Sequence, residues 1–176
     1  MFQGICVKIK KADGALLFTG THMPIEKTTT KALKGWKDNP ISATNFAGTN
    51  GQNAKLEVVQ MKLLNATSPM SIHYSVHIAG CGWNCPQGIP NESSDGGTAG
   101  TTGRGAGIEA IKIWLTDAPG YRVNYRAYLQ GSGWEPSWQS DAAIAGTVGK
   151  GVNIEALNVQ IVAANEFYRC DTMLHR

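Results

Sequence analysis

The chain has 176 residues, a formal net charge of +3 and only 16% charged residues, so we expect one folded domain spanning residues 1–176 rather than a disordered segment. Its 21 glycines and its supply of aromatic and β-branched residues favour β-structure with many tight turns over a helical bundle. The weak charge argues against nucleic-acid binding, and the lack of any run of 18 apolar residues argues against membrane insertion.

The chain begins with MFQGICVKIKKADG, which lacks the apolar stretch of a signal peptide. Within it, Ile5-Cys6-Val7-Lys8-Ile9 alternates in polarity and predicts a strand over residues 4–11. We expect this strand to share a sheet with the C-terminal segment, residues 163–176.

Three sequence features recur three times in the same order, at spacings of about 50 residues. A Gly-Trp pair comes first, an Ala-Gly-Thr-x-Gly turn follows, and a strand that opens with Leu-Glu or Ile-Glu comes last. The pairs are Gly35-Trp36, Gly82-Trp83 and Gly133-Trp134; the turns are 47–51, 99–103 and 145–149; the strands are 56–63, 108–115 and 154–161.

The recurrence predicts three copies of one unit, at residues 25–66 (unit 1), 70–117 (unit 2) and 121–163 (unit 3). The first strand of each unit alternates most clearly in units 2 and 3, while unit 1 has mostly Lys and Thr there. The predicted inward residues are Ile72, Tyr74, Val76, Ile78, Val123, Tyr125, Ala127 and Leu129, and the predicted outward residues are His73, Ser75, His77, Asn124, Arg126 and Gln130.

No segment has a sustained helical period, so we predict an all-β fold. Units that each have one apolar face must pack on one another to enclose a core. A pseudo-threefold, β-prism-like body suits two long strands per unit better than a β-trefoil, whose units carry four short strands; the trefoil is the alternative.

The repeated motif resembles the clostridial hydrophobic W (ChW) repeats. The closest match is Ala-Gly-Thr-Thr-Gly at residues 99–103, followed by Ile-Glu-Ala-Ile at residues 108–111; unit 3 has Val148 and unit 1 has Asn50 in place of the second Thr. The resemblance covers residues 25–162. It implies a protein of the cell surface or of secretion that binds polysaccharide or mediates adhesion.

The tryptophans are the first candidates for ligand binding, because an indole can stack on a sugar ring. Trp36, Trp83 and Trp134 either fill space under a turn or stack on a sugar. Trp138 lies in a polar loop, away from the strand periodicity, and is the preferred stacking residue. Asp38 and Asn84 lie beside the Gly-Trp pairs and offer polar groups to the ligand.

Asp95 and Asp141 each stand five residues before the first Gly of a turn, where unit 1 has Ala43. Either the carboxylates accept sugar hydroxyls, or each caps its own turn. Unit 1 is expected to lack this site.

Glu57, Glu109 and Glu155 share strand parity with apolar residues, so they are expected to point inward and to lock the structure through backbone N–H groups or an indole N–H. Cys81 and Cys85 are expected to form a local disulfide or to remain thiols. A zinc site with His77 is disfavoured, since a fourth ligand is missing.

No Ser–His–Asp or Cys–His arrangement is present in the pattern, so neither an enzyme nor a cofactor is expected. The sequence predicts a lectin-like module that binds glycans or polysaccharide through repeated loop sites, with a homo-oligomer as a further possibility. The alternative is a protein-interaction, adhesion or virion tail module without sugar binding.

Overall fold

The computed structural model describes the backbone of residues 10–12, 15–17, 25–32 and 35–41, and all atoms of residues 46–49, 51–63, 69–86, 88–101 and 104–164. Every regular element in these ranges is a β-strand, which confirms the all-β prediction. No helix long and apolar enough to cross a membrane occurs among the described residues.

The described residues form fifteen strands, all paired antiparallel. They are β1 (Lys10–Ala12), β2 (Ala15–Leu17), β3 (Ile25–Ala32), β4 (Gly35–Ile41), β5 (Ala47–Gly48), β6 (Val58–Leu63), β7 (Ser71–Ile78), β8 (Glu92–Ser94), β9 (Ala99–Gly100), β10 (Ile108–Thr116), β11 (Tyr121–Leu129), β12 (Gly133–Trp134), β13 (Gln139–Ser140), β14 (Ala145–Gly146) and β15 (Ile154–Ala163).

Each unit contributes one long antiparallel strand pair, in which its first strand pairs with its closing strand. The pairs are β3 with β6, β7 with β10, and β11 with β15. The loop between them adds short edge strands to the first strand: β4 on β3, β8 on β7, and β12 and β13 on β11. The two long strands predicted for each unit therefore form one sheet.

The Ala-Gly dipeptides connect the units, because each one pairs with the closing strand of a different unit. Unit 2 gives β9 to β6 of unit 1, and unit 3 gives β14 to β10 of unit 2. Unit 1 gives β5 to β15 of unit 3. The pairing thus passes from each unit to the preceding one and returns from the first unit to the last.

The glycine of each Ala-Gly-Thr motif is required by this contact. Gly48, Gly100 and Gly146 have φ values of +111°, +118° and +97°, which L side chains rarely adopt. A Cβ on these residues would come within 2.8 Å of the Ala156 Cα, 2.7 Å of the Val58 Cα and 2.9 Å of the Ala110 Cα. The backbones are therefore too close for any side chain.

The threonine of the motif completes the contact through its backbone. The N–H groups of Thr49, Thr101 and Thr147 donate to the carbonyl oxygens of Glu155, Glu57 and Glu109, the strand-opening glutamates of the receiving units, at 3.0, 2.7 and 2.8 Å. Each threonine Oγ1 also donates to a carbonyl five residues later, those of Ala54, Ala106 and Val152, which closes the turn. The alanine before the glycine is buried in all three units.

Apolar side chains of β6, β7, β10, β11 and β15 form one hydrophobic core cluster, and burial of each large apolar side chain contributes about 1.5–3 kcal/mol. Of the side chains predicted to point inward, only Leu129 is not fully enclosed, and it packs against the core. Two residues predicted to point outward, His77 and Asn124, are also buried. Asn124 is covered because β13 pairs beside it and the Ser140 hydroxyl donates to its Oδ1 at 2.6 Å.

The predicted N-terminal strand falls mostly outside the described residues. Of residues 4–11, only Lys10 and Lys11 are described, and they belong to β1, which pairs with β2. Of the expected partner segment, residues 163–176, only Ala163 and Ala164 are described, and Ala163 is the last residue of β15.

Candidate functional site

The Gly-Trp tryptophans of units 2 and 3 occupy equivalent places on the outside of their sheets. Trp83 packs edge-on against His77 with ring centroids 5.4 Å apart, and Trp134 packs edge-on against Tyr128 at the same distance. His77 pairs with Ala110 and Tyr128 pairs with Ala156, which are equivalent positions of the two closing strands. Both indoles are half-buried and neither belongs to the hydrophobic core.

A cation lies over the indole in both units. The Lys112 Nζ is 4.6 Å from the centre of the Trp83 ring. The Arg126 Cζ is 5.2 Å from the centre of Trp134 and 4.8 Å from that of Trp138. Cations at these distances are attracted by the quadrupole of the ring.

The two cations lie in equivalent cross-strand pairs of two different sheets, but on opposite strands of the pair. Lys112 lies in β10 and pairs with Ser75 of β7, whereas Arg126 lies in β11 and pairs with Asn158 of β15. Sequence reasoning missed both as site residues, although their parity placed them on the outer face. The missing information was the position of the indole beside that cross-strand pair.

In unit 2, aromatic contacts continue along the outer face of the sheet. His73 and Trp114 pair across the strands and stack with ring centroids 5.5 Å apart and an interplanar angle of 11°. The His73 Nε2 lies 3.0 Å from the Thr116 Oγ1. We define the unit 2 patch as His73, His77, Trp83, Lys112 and Trp114. Sequence reasoning did not select Trp114, although it alternates with the buried Ile113.

The unit 3 patch is built around Trp134 and includes a residue from unit 1. Phe46 packs edge-on against Trp134 with centroids 5.6 Å apart. Trp138, the preferred stacking residue, is half-buried, and the Arg126 guanidinium lies over both indoles. We define the unit 3 patch as Phe46, Arg126, Tyr128, Trp134 and Trp138.

The loop carboxylates Asp95 and Asp141 are exposed, and each is tied to the start of its first strand. The Asp95 Oδ1 accepts the Ile72 N–H at 3.0 Å, and its Oδ2 accepts the Ser71 hydroxyl at 2.6 Å. The Asp141 Oδ1 accepts the Val123 N–H at 3.2 Å. These contacts give both residues a structural role, and their binding of a saccharide stays a prediction.

Buried tyrosines hold the same two loops from inside. The Tyr74 hydroxyl donates to the Gly97 carbonyl and accepts the Met61 N–H, while the Tyr125 hydroxyl donates to the Ala143 carbonyl. Burial raises the pKa of Tyr125 to about 12, to which the charge of nearby Asp141 adds. Burial is also the main cause that raises the pKa of Tyr74. The loops that carry the candidate sites are therefore fixed to the core.

The remaining candidates differ in what the structure describes. Asn84 is exposed beside Trp83. Trp36 and Asp38 lie in β4, paired with Lys31 and Thr29, but their side chains are outside the described part of the structure. Unit 1 has Thr28 at the position that Tyr74 occupies in unit 2. Thr28 pairs with Met61 just as Tyr74 pairs with Ile113.

The strand-opening glutamates are buried, as predicted, and two of them bind the turn that another unit inserts. Glu109 and Glu155 stand at breaks in the strand register, where the closing strand has one extra residue that has no partner in the first strand. The Glu109 Oε2 accepts the Gly149 N–H at 3.3 Å, and the Glu155 Oε2 accepts the Gln52 N–H at 3.2 Å. The predicted locking role is confirmed for these two residues.

A disulfide joins Cys81 to Cys85 and encloses Trp83 in a five-residue ring. Asn91 supports this ring, since its Oδ1 accepts the Cys85 N–H at 2.8 Å and its Nδ2 donates to the Gly82 carbonyl at 3.1 Å. The local disulfide, one of the two expectations for this pair, is therefore confirmed. Among the described residues, no group of three His, Cys, Asp or Glu side chains could hold a metal ion.

The family model described as Clostridial hydrophobic W matches residues 77–117 and 128–163. These segments hold most of units 2 and 3, and they are ChW repeats, which confirms the resemblance in these units. The resemblance of unit 1 stays a prediction from its motif. No curated protein and no solved structure matches the chain significantly.

Proposed function

We propose that the protein is a lectin-like module that binds glycans or polysaccharide through the unit 2 and unit 3 patches. The observation that carries the proposal is the repeated arrangement of a half-exposed indole, an edge-on ring and a cation on two separate sheets. An indole presents an apolar face and a polar N–H, which suits it to a sugar ring with its apolar face and hydroxyls.

Each patch combines side chains of the long strands with an indole from the connection between them, and this connection is tied to the sheet and to the core. Asp95 and Asp141 fix the loops to the first strands, and Tyr74 and Tyr125 fix them to the interior. Rigid loops lower the ordering entropy lost on binding. A shallow site still binds weakly by itself, so two or more sites per molecule would supply avidity for a repeating polymer.

We also propose that the three units close into a pseudo-threefold, β-prism-like body. The cyclic exchange of β5, β9 and β14 among the units supports this arrangement. In such a body the two patches face different directions, which suits binding to a surface or to a branched polymer.

A glycan array followed by isothermal titration tests the function. Trp83→Ala and Trp134→Ala should each weaken binding at their own patch about tenfold, equal to about 1.4 kcal/mol. The exposed residues Ile144 and Val148, changed to Ala, serve as controls and should leave affinity unchanged.

A folded protein that binds no saccharide on the array would contradict the proposal. If, in addition, light scattering showed self-association and tryptophan fluorescence did not respond to mixed sugars, the protein-interaction alternative would be favoured.

A further inference from the structure

The ion pairs that the described residues form do not involve the two cations that lie over the indoles. Neither Lys112 nor Arg126 forms an ion pair with a residue that the structure describes, and the buried Arg126 Nε has no hydrogen-bond partner there. By contrast, the Nε of Arg122, four residues before Arg126 in β11, lies 3.6 Å from the Asp141 carboxylate. No carboxylate of the described residues therefore pairs directly with Lys112 or with Arg126.

One carboxylate in each of units 2 and 3 accepts hydrogen bonds from the backbone. Glu135 directly follows Trp134, yet its Oε2 accepts the Ala127 N–H at 3.0 Å and its Oε1 accepts the Gly146 N–H at 2.8 Å. In unit 2, the Glu109 Oε2 accepts the Gly149 N–H and lies 3.1 Å from the His77 Nδ1. Both glutamates hold the fold together through backbone N–H groups, and neither forms an ion pair with Lys112 or Arg126.

Both units place a cation over the Gly-Trp indole, although the cation is a different residue type at a different sequence position in each unit. The cation is Lys on β10 in unit 2 and Arg on β11 in unit 3, but each lies over the Gly-Trp indole of its unit. A cation on the indole is thus the feature that the two units share, and it comes from different sequence positions.

We infer that the patches select acidic saccharides, in which a sugar ring carries a carboxylate or a phosphate. The anionic group binds Lys112 in unit 2 and Arg126 in unit 3 through charge-assisted hydrogen bonds, while the ring contacts the indole. The planar guanidinium of Arg126 can bind either anion with two parallel bonds, whereas Lys112 acts as a point charge. This inference rests on the proposed function, because it names the class of ligand for the same patches.

The test compares saccharides that differ only in charge. Isothermal titration of the full chain uses oligogalacturonate against its methyl ester, and phosphomannan against its dephosphorylated form. We expect the acidic form of at least one pair to bind about tenfold more tightly at low ionic strength, and high salt to remove the difference.

The variants assign that preference to the two cations. Lys112→Gln with Arg126→Gln should lower the affinity for the acidic form about tenfold and so abolish the preference for it, whereas Arg126→Lys should retain most of the preference. Lys150→Gln, at an exposed cation outside the patches, is the matched control and should change nothing. Circular dichroism and the melting temperature show whether each variant folds.

The outcomes separate the two proposals. Equal affinity for acidic and neutral forms, or a preference that survives the double substitution, overturns the inference while the lectin-like function stands. Failure of every saccharide to bind the folded protein overturns both. Retention of the charge preference in Trp83→Ala with Trp134→Ala would place the acidic site elsewhere and also overturn the inference.

Discussion

Units 2 and 3 reach the same fold by different chemical means. The loop between Trp83 and Ala99 is five residues longer than the loop between Trp134 and Ala145. In unit 2 this longer loop brings main-chain carbonyls to the sheet: Asn91 O accepts the Val76 N–H at 2.8 Å, and Pro90 O accepts the Gly100 N–H at 2.7 Å.

In unit 3 one side chain replaces those two carbonyls. The Glu135 carboxylate accepts the equivalent N–H groups, those of Ala127 and Gly146, at 3.0 and 2.8 Å. The fold therefore requires acceptors at these places and accepts either a longer loop or a charged side chain as their source. Both N–H groups would otherwise be buried without a partner, which costs about 1–3 kcal/mol each.

Substitution of the glycines that approach the backbone of another unit should cause the largest loss of stability. The loss should be similar in units 2 and 3. Gly100→Ala and Gly146→Ala each place a Cβ against the backbone of the closing strand at positive φ, so we expect a loss of about 3 kcal/mol or more in the free energy of unfolding. Urea unfolding measures it.

Gly131→Ala is the control for conformational strain alone, because Gly131 has a φ of +75° but nothing within 4 Å of an added Cβ. It should cost about 1–2 kcal/mol. Equal losses at Gly131 and Gly146 would mean that the close approach between units contributes nothing.

Glu135→Ala should destabilise unit 3 by about 2–3 kcal/mol, because two N–H groups of the sheet lose their acceptor. The exposed Glu92 of unit 2, changed to Ala, should cost less than about 0.5 kcal/mol. Thermal unfolding of the two variants measures the difference. A Glu135 variant as stable as the Glu92 variant would refute the claim that the Glu135 carboxylate replaces the two loop carbonyls of unit 2.

The buried tyrosines predict a smaller effect, visible only at alkaline pH. The pKa of Tyr125 rises from 10.0 to about 12 in the folded protein, so the unfolded chain loses this proton first as the pH increases. Ionisation of Tyr125 therefore has no effect on the stability below pH 10, and it lowers the stability as the pH rises from 10 to about 12. Tyr125→Phe should reduce the slope of stability against pH in that interval.

Denaturant unfolding at a series of pH values checks this prediction. Tyr74→Phe is the companion variant in unit 2, since the pKa of Tyr74 is raised for the same main reason. A slope that neither substitution alters would exclude the buried hydroxyls as its source.

Much of the fold followed from local patterns. Alternation placed Ile72, Tyr74 and Val76 on a buried face, and the common parity of Glu109 with Ile111 and Ile113 predicted a buried carboxylate. The pattern could not predict that Asn124 is buried, because its cover is β13, a two-residue strand without a periodic signal of its own.

The candidate site was predicted less completely. Trp83, Trp134 and Trp138 were selected as recurring or isolated aromatic residues, but Lys112, Arg126 and Trp114 were not. Their selection depends on which rung of the sheet lies beside each indole, and that follows from cross-strand register together with the path of the loop.

The sequence by itself determined that the chain forms β-strands, that these strands come in three repeated units, and that each unit has one apolar face, because residue spacing along a strand fixes which side chains share a face. Only the tertiary structure decided that each Ala-Gly pair joins the closing strand of another unit, and that a cation lies over the Gly-Trp indole in each of units 2 and 3. These contacts join residues far apart in the chain through positive-φ glycines, strand bulges and backbone hydrogen bonds, none of which leaves a period in the sequence.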